Sequence, residues 1–139
     1  MKQRTPVSTI MTKEVITLNS TDSLDKAEHL FKTKKIRHIP VVSGSAIIGM
    51  LSYTDILRIS FADSVTAEED YVDTSVYNLF SIEQVMAKNL LSVSSDTTIK
   101  ETAEILSKKE FHAIPVVDEG VLVGIVTTTD LIQYLLQQY

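Results

Sequence analysis

The chain has 139 residues, 44% hydrophobic and 22% charged, with no cysteine and a formal net charge of −5. Those proportions suit an ordinary globular chain, and they exclude disulfides, thiolate metal sites and cysteine nucleophiles. The acidic balance (pI about 5.1) argues against a nucleic-acid binder, which would show a basic excess. "MKQRTPVSTIM" has no apolar core of signal-peptide length. The longest apolar runs, "AIIGML" and "VLVGIV", fall far short of the roughly 20 residues a membrane span needs. A cytoplasmic protein with no membrane partner is expected.

The first element in chain order is a short extended piece, "EVITLNS". A helix follows, with Leu24, Ala27, Leu30 and Phe31 on one face. Two strands come next, "IPVV" and "AIIGMLS", joined by the turn "SGS". "IPVV" is apolar throughout, as in a strand covered on both faces. A second helix is predicted to start at Asp55, "DILRI". Then comes an acidic stretch without Lys or Arg, carrying Asp63, Glu68, Glu69, Asp70 and Asp73. It reads as a solvated connector, or as a gating or partner-contact segment anchored by Tyr71, Tyr77 and Phe80.

The same order then returns. "NLLSVSS" is extended. Ile99, Thr102, Ala103 and Leu106 share a helical face, and Thr98 with Glu101 predicts a capping box. "IPVV" recurs, the turn is "DEG", and a last helix is predicted from Asp130, "DLIQYLLQQY". A shift of 75 positions lays Met11 on Met86, Pro40 on Pro115, Gly49 on Gly124 and Asp55 on Asp130, without a gap. The chain is therefore read as a tandem duplication, residues 5–60 and 80–137, with a connector over 61–79. Each copy is β-α-β-β-α, a mixed α/β (α+β) architecture. Half a chain is too small to bury much surface alone, so two pseudo-symmetric units are expected to pack as one module with ligand clefts between them.

The chemistry concentrates in "GIVTTTD" at 124–130 and its counterpart "GMLSYTD" at 49–55. A strand ends, hydroxyls line the corner and an aspartate stands at a helix start. Helix N-termini attract phosphate through unpaired N–H groups and the dipole. Thr127 and Thr129, like Ser52 and Thr54, add donors. A carboxylate matches the paired hydroxyls of a ribose. A nucleotide site is one reading; a helix cap without a ligand is the other, because Ser, Thr and Asp are also favoured caps. Lys32, Lys34 and Lys35 fit a helix C-terminus complementing its dipole. Arg37 and His38 lie past that helix and are open to either role. His29 reads as a surface residue. The three histidines lack HxH or HxxxH spacing, so no metal site is expected.

"HIPVV" with "GMLSYTD", and "AIPVV" with "GIVTTTD", resemble the CBS domain family, two copies of which form a Bateman module. The resemblance covers nearly the whole chain outside the connector. It is nearest the stand-alone bacterial acetoin-utilisation type. It implies two clefts that take adenosine compounds such as AMP, ADP, ATP or S-adenosylmethionine as regulatory ligands. No cofactor is required. For one cleft it implies Asp130 at the ribose, Thr127 and Thr129 near phosphate, Ile10, Val15, Ile36 and Arg37 around the base, and His112 toward the phosphates. For the other it implies Asp55 at the ribose and Ser52 and Thr54 near phosphate. Val85, Leu90, Phe111 and His112 would line that base pocket, with His38 toward phosphate. Ala113 stands where the family often has a phosphate-binding arginine, which weakens the case for di- and triphosphates in the first cleft. The expected function is a non-catalytic sensor of metabolite or energy state. The rival is an oligomerisation scaffold with no nucleotide. No Walker loop, GxGxxG, GxSxG or zinc pattern favours an enzyme. The resemblance and the apolar second helices imply a homodimer, and a sensor implies a regulated partner protein.

Overall fold

The computed structural model describes residues 4–64, 79–109 and 112–139. Two compact units divide it, and they interleave the repeats. One is Met1–Val15 with Leu90–Tyr139; the other is Ile16–Asn89. Most of the acidic connector, with Tyr71 and Tyr77, lies outside the described residues, as does Phe111.

The Ile16–Asn89 unit is built on a three-stranded sheet. β1 (Leu18–Asn19) runs parallel to β2 (His38–Ser43), and β2 runs antiparallel to β3 (Ala46–Ser52). Helix α1 (Leu24–Lys34) begins with Ser23, whose hydroxyl accepts from the Lys26 N–H. It ends where Lys35 turns left-handed, φ 54°. Its face is as the periodicity predicts: Leu24, Ala27 and Phe31 are buried and Leu30 packs against the same core. Ile39 to Val42 are all buried, as an unbroken apolar strand requires. Helix α2 (Tyr53–Ser64) seals the core with Ile56. It also runs four residues into the stretch read as connector. A short α3 (Ile82–Val85), absent from the predicted elements, is held by a full capping box between Ser81 and Gln84. It contributes Ile82, which is wholly buried.

The other unit repeats this plan with an altered edge. Val93 forms a parallel bridge to Val116 in place of a full first strand. Helix α4 (Ile99–Lys108) buries Ile99, Thr102 and Leu106. Only half of its predicted capping box forms: the Thr98 hydroxyl accepts from the Glu101 N–H. The Glu101 carboxylate does not reach back, as Gln84 does in α3. β4 (Ala113–Asp118) and β5 (Val121–Thr127) form the hairpin, and α5 (Thr128–Gln137) follows. At its turn Glu119 and Gly120 both have positive φ, the requirement of a type I′ turn. Pro115 is tolerated inside β4 because its carbonyl faces Val93 and accepts that N–H at 3.1 Å. The missing Pro N–H therefore falls outside the hairpin ladder.

Both hairpins carry a bulge at the same place, between Val41 and Val42 and between Val116 and Val117. Beside each bulge sits a buried glycine, Gly49 or Gly124. A Cβ on Gly124 would lie 2.6 Å from the Met11 sulfur and 3.0 Å from the Thr12 carbonyl oxygen; one on Gly49 would overlap the Met86 sulfur. Each glycine thus receives the methionine of the other repeat. The backbone continues the contact. Thr12 and Ile125 exchange two hydrogen bonds of 2.9 and 3.1 Å, and Ala87 and Met50 exchange two of 2.9 and 3.0 Å. Each arm acts as an outer neighbour to the last strand of its unit. Val7 and Ile82, the matching residues of the two arms, are both fully buried.

The loops before the first helices are also matched. The Asn19 N–H donates to the Asp22 carboxylate at 2.8 Å, and the Ser94 N–H donates to the Thr97 hydroxyl at 3.1 Å. The second repeat adds a longer link, from the Ser95 N–H to the Asp118 carboxylate at 2.9 Å. The side chain and backbone of Ser95 hold the Asp118 carboxyl below its ordinary value of 3.8. The Asn19 N–H, aided by Lys26, does the same for Asp22.

Two predictions follow from this packing. Gly124→Ala is expected to cost about 1–3 kcal/mol by overpacking, measured as a lower urea midpoint. Adding Met11→Ala should recover part of the loss, and equal stability of Gly124→Ala and wild type would contradict the close approach. For pH, a depressed carboxyl stabilises the fold above its unfolded pKa, and that contribution is lost as pH falls through the folded value. Acid unfolding followed by circular dichroism is therefore expected to have a shallower limb in Asp22→Asn/Asp118→Asn, because Asn still accepts but no longer titrates.

Candidate functional site

Each unit has one corner where its last strand meets its last helix. In the Leu90–Tyr139 unit the helix begins at Thr128, with Thr127 as N-cap, so Asp130 stands at the third helical position. The sequence pattern predicts the aspartate at the helix start; the structure places it two residues further in. The correction has a clear cause, since Thr-x-x-Asp is the spacing of a reciprocal cap. The Thr127 hydroxyl accepts from the Asp130 N–H at 3.1 Å, and the Asp130 Oδ2 accepts from the Thr127 N–H at 2.9 Å. The Thr128 N–H donates to the His112 carbonyl at 3.0 Å. Three N–H groups expected to be open for phosphate are therefore already engaged.

The other unit reproduces the corner. The Ser52 hydroxyl accepts from the Asp55 N–H at 3.1 Å, and Asp55 Oδ2 accepts from the Ser52 N–H at 3.0 Å. Helix α2 begins at Tyr53, whose N–H donates to the Arg37 carbonyl at 2.9 Å. Arg37 and His112 thus occupy matching positions. Their carbonyls tether the helix starts, while their side chains are exposed.

The caps leave specific chemistry unspent. A hydroxyl that accepts one hydrogen bond can still donate another, so Thr127 and Ser52 keep a donor. Each aspartate uses one carboxylate oxygen for the cap, and Oδ1 points elsewhere. Thr54 and Thr129 are exposed. Both corners therefore present a carboxylate oxygen beside hydroxyl donors.

The remaining expected residues divide between the units. With Asp130, Thr127, Thr129 and His112 belong Ile10, Val15 and Leu90, all three half-buried. Ile10 packs against that unit's core beside Met11 and Leu131. With Asp55, Ser52 and Thr54 belong Ile36, Arg37, His38 and Val85. Ile36 and Val85 pack against the core there, and His38 opens β2 half-buried. Phe111 lies outside the described residues. One neighbour was missed by the sequence reading: Arg58 places a guanidinium nitrogen 3.6 Å from Asp55 Oδ1. Its signal was present as the i, i+3 spacing of opposite charges on a helix. Among the described residues no group of three or more His, Asp or Glu could hold a metal ion, and no helix is long and apolar enough to cross a membrane.

Comparison with known proteins sets these corners in context. The CBS domain family matches twice, at residues 7–62 and 82–137. The chain is 30% identical over 129 residues to homoserine O-acetyltransferase of Methanohalobium evestigatum, which covers 91% of this chain but 23% of that protein. Several other curated relatives are likewise matched over less than half their length. Among solved structures, a putative acetoin utilization protein (AcuB) from Vibrio cholerae is similar with TM-score 0.79 and 28% identity, over 96% of this chain and 91% of that one. CBSX2, solved in complex with AMP, gives TM-score 0.78 and 25% identity over 96% and 98% of the two chains. The CBS domain pair of protein MJ0100, solved with 5′-methylthioadenosine and S-adenosyl-L-methionine, gives 0.79 and 26% over 97% and 98%. With both repeats matched and the same fold found in solved CBS pairs, the chain belongs to the CBS domain family as a tandem pair.

Proposed function

We propose that this CBS pair is a non-catalytic regulatory module that binds an adenosine compound and reports metabolite or energy state to a partner protein. The observation that carries the reading is the duplicated corner, in which a capped aspartate keeps one carboxylate oxygen beside hydroxyl donors. Two similar CBS pairs solved with AMP, or with 5′-methylthioadenosine and S-adenosyl-L-methionine, support the choice of ligand class. In this reading Asp130 and Asp55 accept from ribose hydroxyls. Thr127, Thr129, Ser52 and Thr54 donate toward phosphate or its replacement. The other residues that the family resemblance implies around the bases are Ile10, Val15, Ile36, Arg37, Val85, Leu90 and Phe111. His112 and His38 lie toward the phosphates.

The engaged N–H groups shift the weight of phosphate binding onto the hydroxyls and onto His112 and His38. That favours AMP or S-adenosylmethionine over a triphosphate. The scaffold reading keeps one observation of its own: the reciprocal caps account for both Ser/Thr–Asp pairs without any ligand. The two are separated by melting the protein with AMP, ADP, ATP, S-adenosylmethionine and NADH. A ligand at 100 times its dissociation constant adds about 2.7 kcal/mol. AMP or S-adenosylmethionine is expected to raise the melting temperature. Asp130→Ala is expected to weaken binding at its corner at least about tenfold, since a charge-assisted hydrogen bond contributes roughly 1.5–3 kcal/mol. The absence of any shift with all five compounds would favour the scaffold.

A homodimer is part of the proposal. No residue of α5 is fully buried, and Ile132, Leu135, Leu136 and Tyr139 follow the i, i+3, i+4, i+7 spacing of one helical face. Leu135 is 55% exposed and Leu136 67%. In α2 the matching Leu57 is exposed while Ile56 is buried. A second copy laid on this face would cover the row. Leu136→Glu is expected to convert the dimer to a monomer in multi-angle light scattering, with the fold kept. An unchanged mass would place the interface elsewhere.

A further inference from the structure

The two corners are alike in their caps and unlike in what faces the remaining carboxylate oxygen. At Asp55, Oδ1 meets the Arg58 guanidinium at 3.6 Å, with the aspartate side chain 19% and the arginine 75% exposed. A shift of 75 places Gln133 at the position of Arg58. Asp130 has no ion-pair partner among the described residues. The corners differ in one further residue. Where the second has Thr128, the first has Tyr53, whose ring is turned onto Phe31 with centroids 5.5 Å apart. The Asp130 corner therefore offers three hydroxyls and an uncompensated carboxylate. The Asp55 corner offers two small hydroxyls and a carboxylate already facing a cation.

We infer that Arg58 competes with the ligand for Asp55, so that the corners are unequal receptors and the Asp130 corner takes the nucleoside first. The inference rests on the reading of the two aspartates as ribose acceptors and adds an order of occupancy and the residue that sets it. A ribose hydroxyl is neutral. To reach Asp55 it must displace a guanidinium that loses little by returning to water, so the handicap is modest. A two- to fivefold difference, about 0.4–1 kcal/mol at 1.4 kcal/mol per tenfold, is the range open to an exposed ion pair. Because salt screens exposed pairs, the handicap should shrink as ionic strength rises.

The test uses adenosine, which has no phosphate to attract Arg58 and no charge to make its own binding salt-dependent. Calorimetric titration is made on the full chain. Asp130→Asn isolates the Asp55 corner, and Asp55→Asn isolates the other; asparagine keeps the cap acceptor. In the first background, Arg58→Gln is expected to tighten adenosine binding two- to fivefold and to flatten its salt dependence. In the second, Gln133→Arg is expected to weaken binding by a similar factor. Arg58 is exposed, so these changes leave the core untouched. Unchanged affinity in both swaps would overturn the inference while leaving the nucleoside reading intact. Weaker binding in Arg58→Gln would also overturn it, by making Arg58 a ligand contact. Failure of the wild-type chain to bind adenosine or AMP at all would instead remove the reading beneath it.

Discussion

Two glycines leave the room into which each repeat's methionine enters the other's sheet. The corners depend on this contact. Met11 lies against Gly124 and Thr12 is bonded to Ile125, two residues before the Thr127 cap. Met86 lies against Gly49 and Ala87 is bonded to Met50, two residues before Ser52. A strand pinned on both sides so close to its end fixes where the following helix can start. The aspartate's backbone inherits its position from that strand end, and the cap bond from the Thr127 or Ser52 N–H then fixes one of its carboxylate oxygens. A Cβ at Gly124 would press on the Thr12 carbonyl and so on the arm itself, whereas at Gly49 it is the Met86 side chain that would have to give way.

The caps reconcile two readings that looked like competitors in the sequence. A Ser/Thr–Asp pair at a helix start can stabilise the helix or hold a ligand. Here the geometry assigns one carboxylate oxygen to the first task and leaves the second oxygen over. The hydroxyl likewise accepts inward and can donate outward. The same residues are therefore structural at both corners and still keep hydrogen-bonding capacity, and the corners differ in neighbours such as Arg58 and Gln133.

The repeat and the order of its elements were legible because the duplication is ungapped and its apolar periods are clean. Leu24, Ala27 and Phe31, or Ile99, Thr102 and Leu106, are spaced by the helix itself. "IPVV" can only be a strand covered on both faces. The exchange of arms was not legible. A shift of 75 pairs Met11 with Met86 and Gly49 with Gly124, yet it cannot say that the methionine of one copy fills the glycine of the other, since that depends on the path of the chain in space. The third-position placement of Asp130 was in the letters, as the same four-residue spacing recognised at Thr98 and Glu101. It was obscured there by three consecutive threonines, any of which could have capped. Thr98 itself shows the limit of the pattern: the spacing is right, but Glu101 does not close the box.

The interleaving also has a temporal side. The Ile16–Asn89 unit is one continuous stretch, so all its contacts become available once that stretch has been synthesised. The outer unit needs Thr12 to meet Ile125 and Val7 to meet the segment at 95–97, and those partners are separated by roughly ninety to more than a hundred residues. Contacts of such long sequence separation close late and slowly. The arm that carries Met11 has these partners only in the last fifty residues of the chain. The first unit to be complete in synthesis is the one whose sequence lies between the two segments of the other.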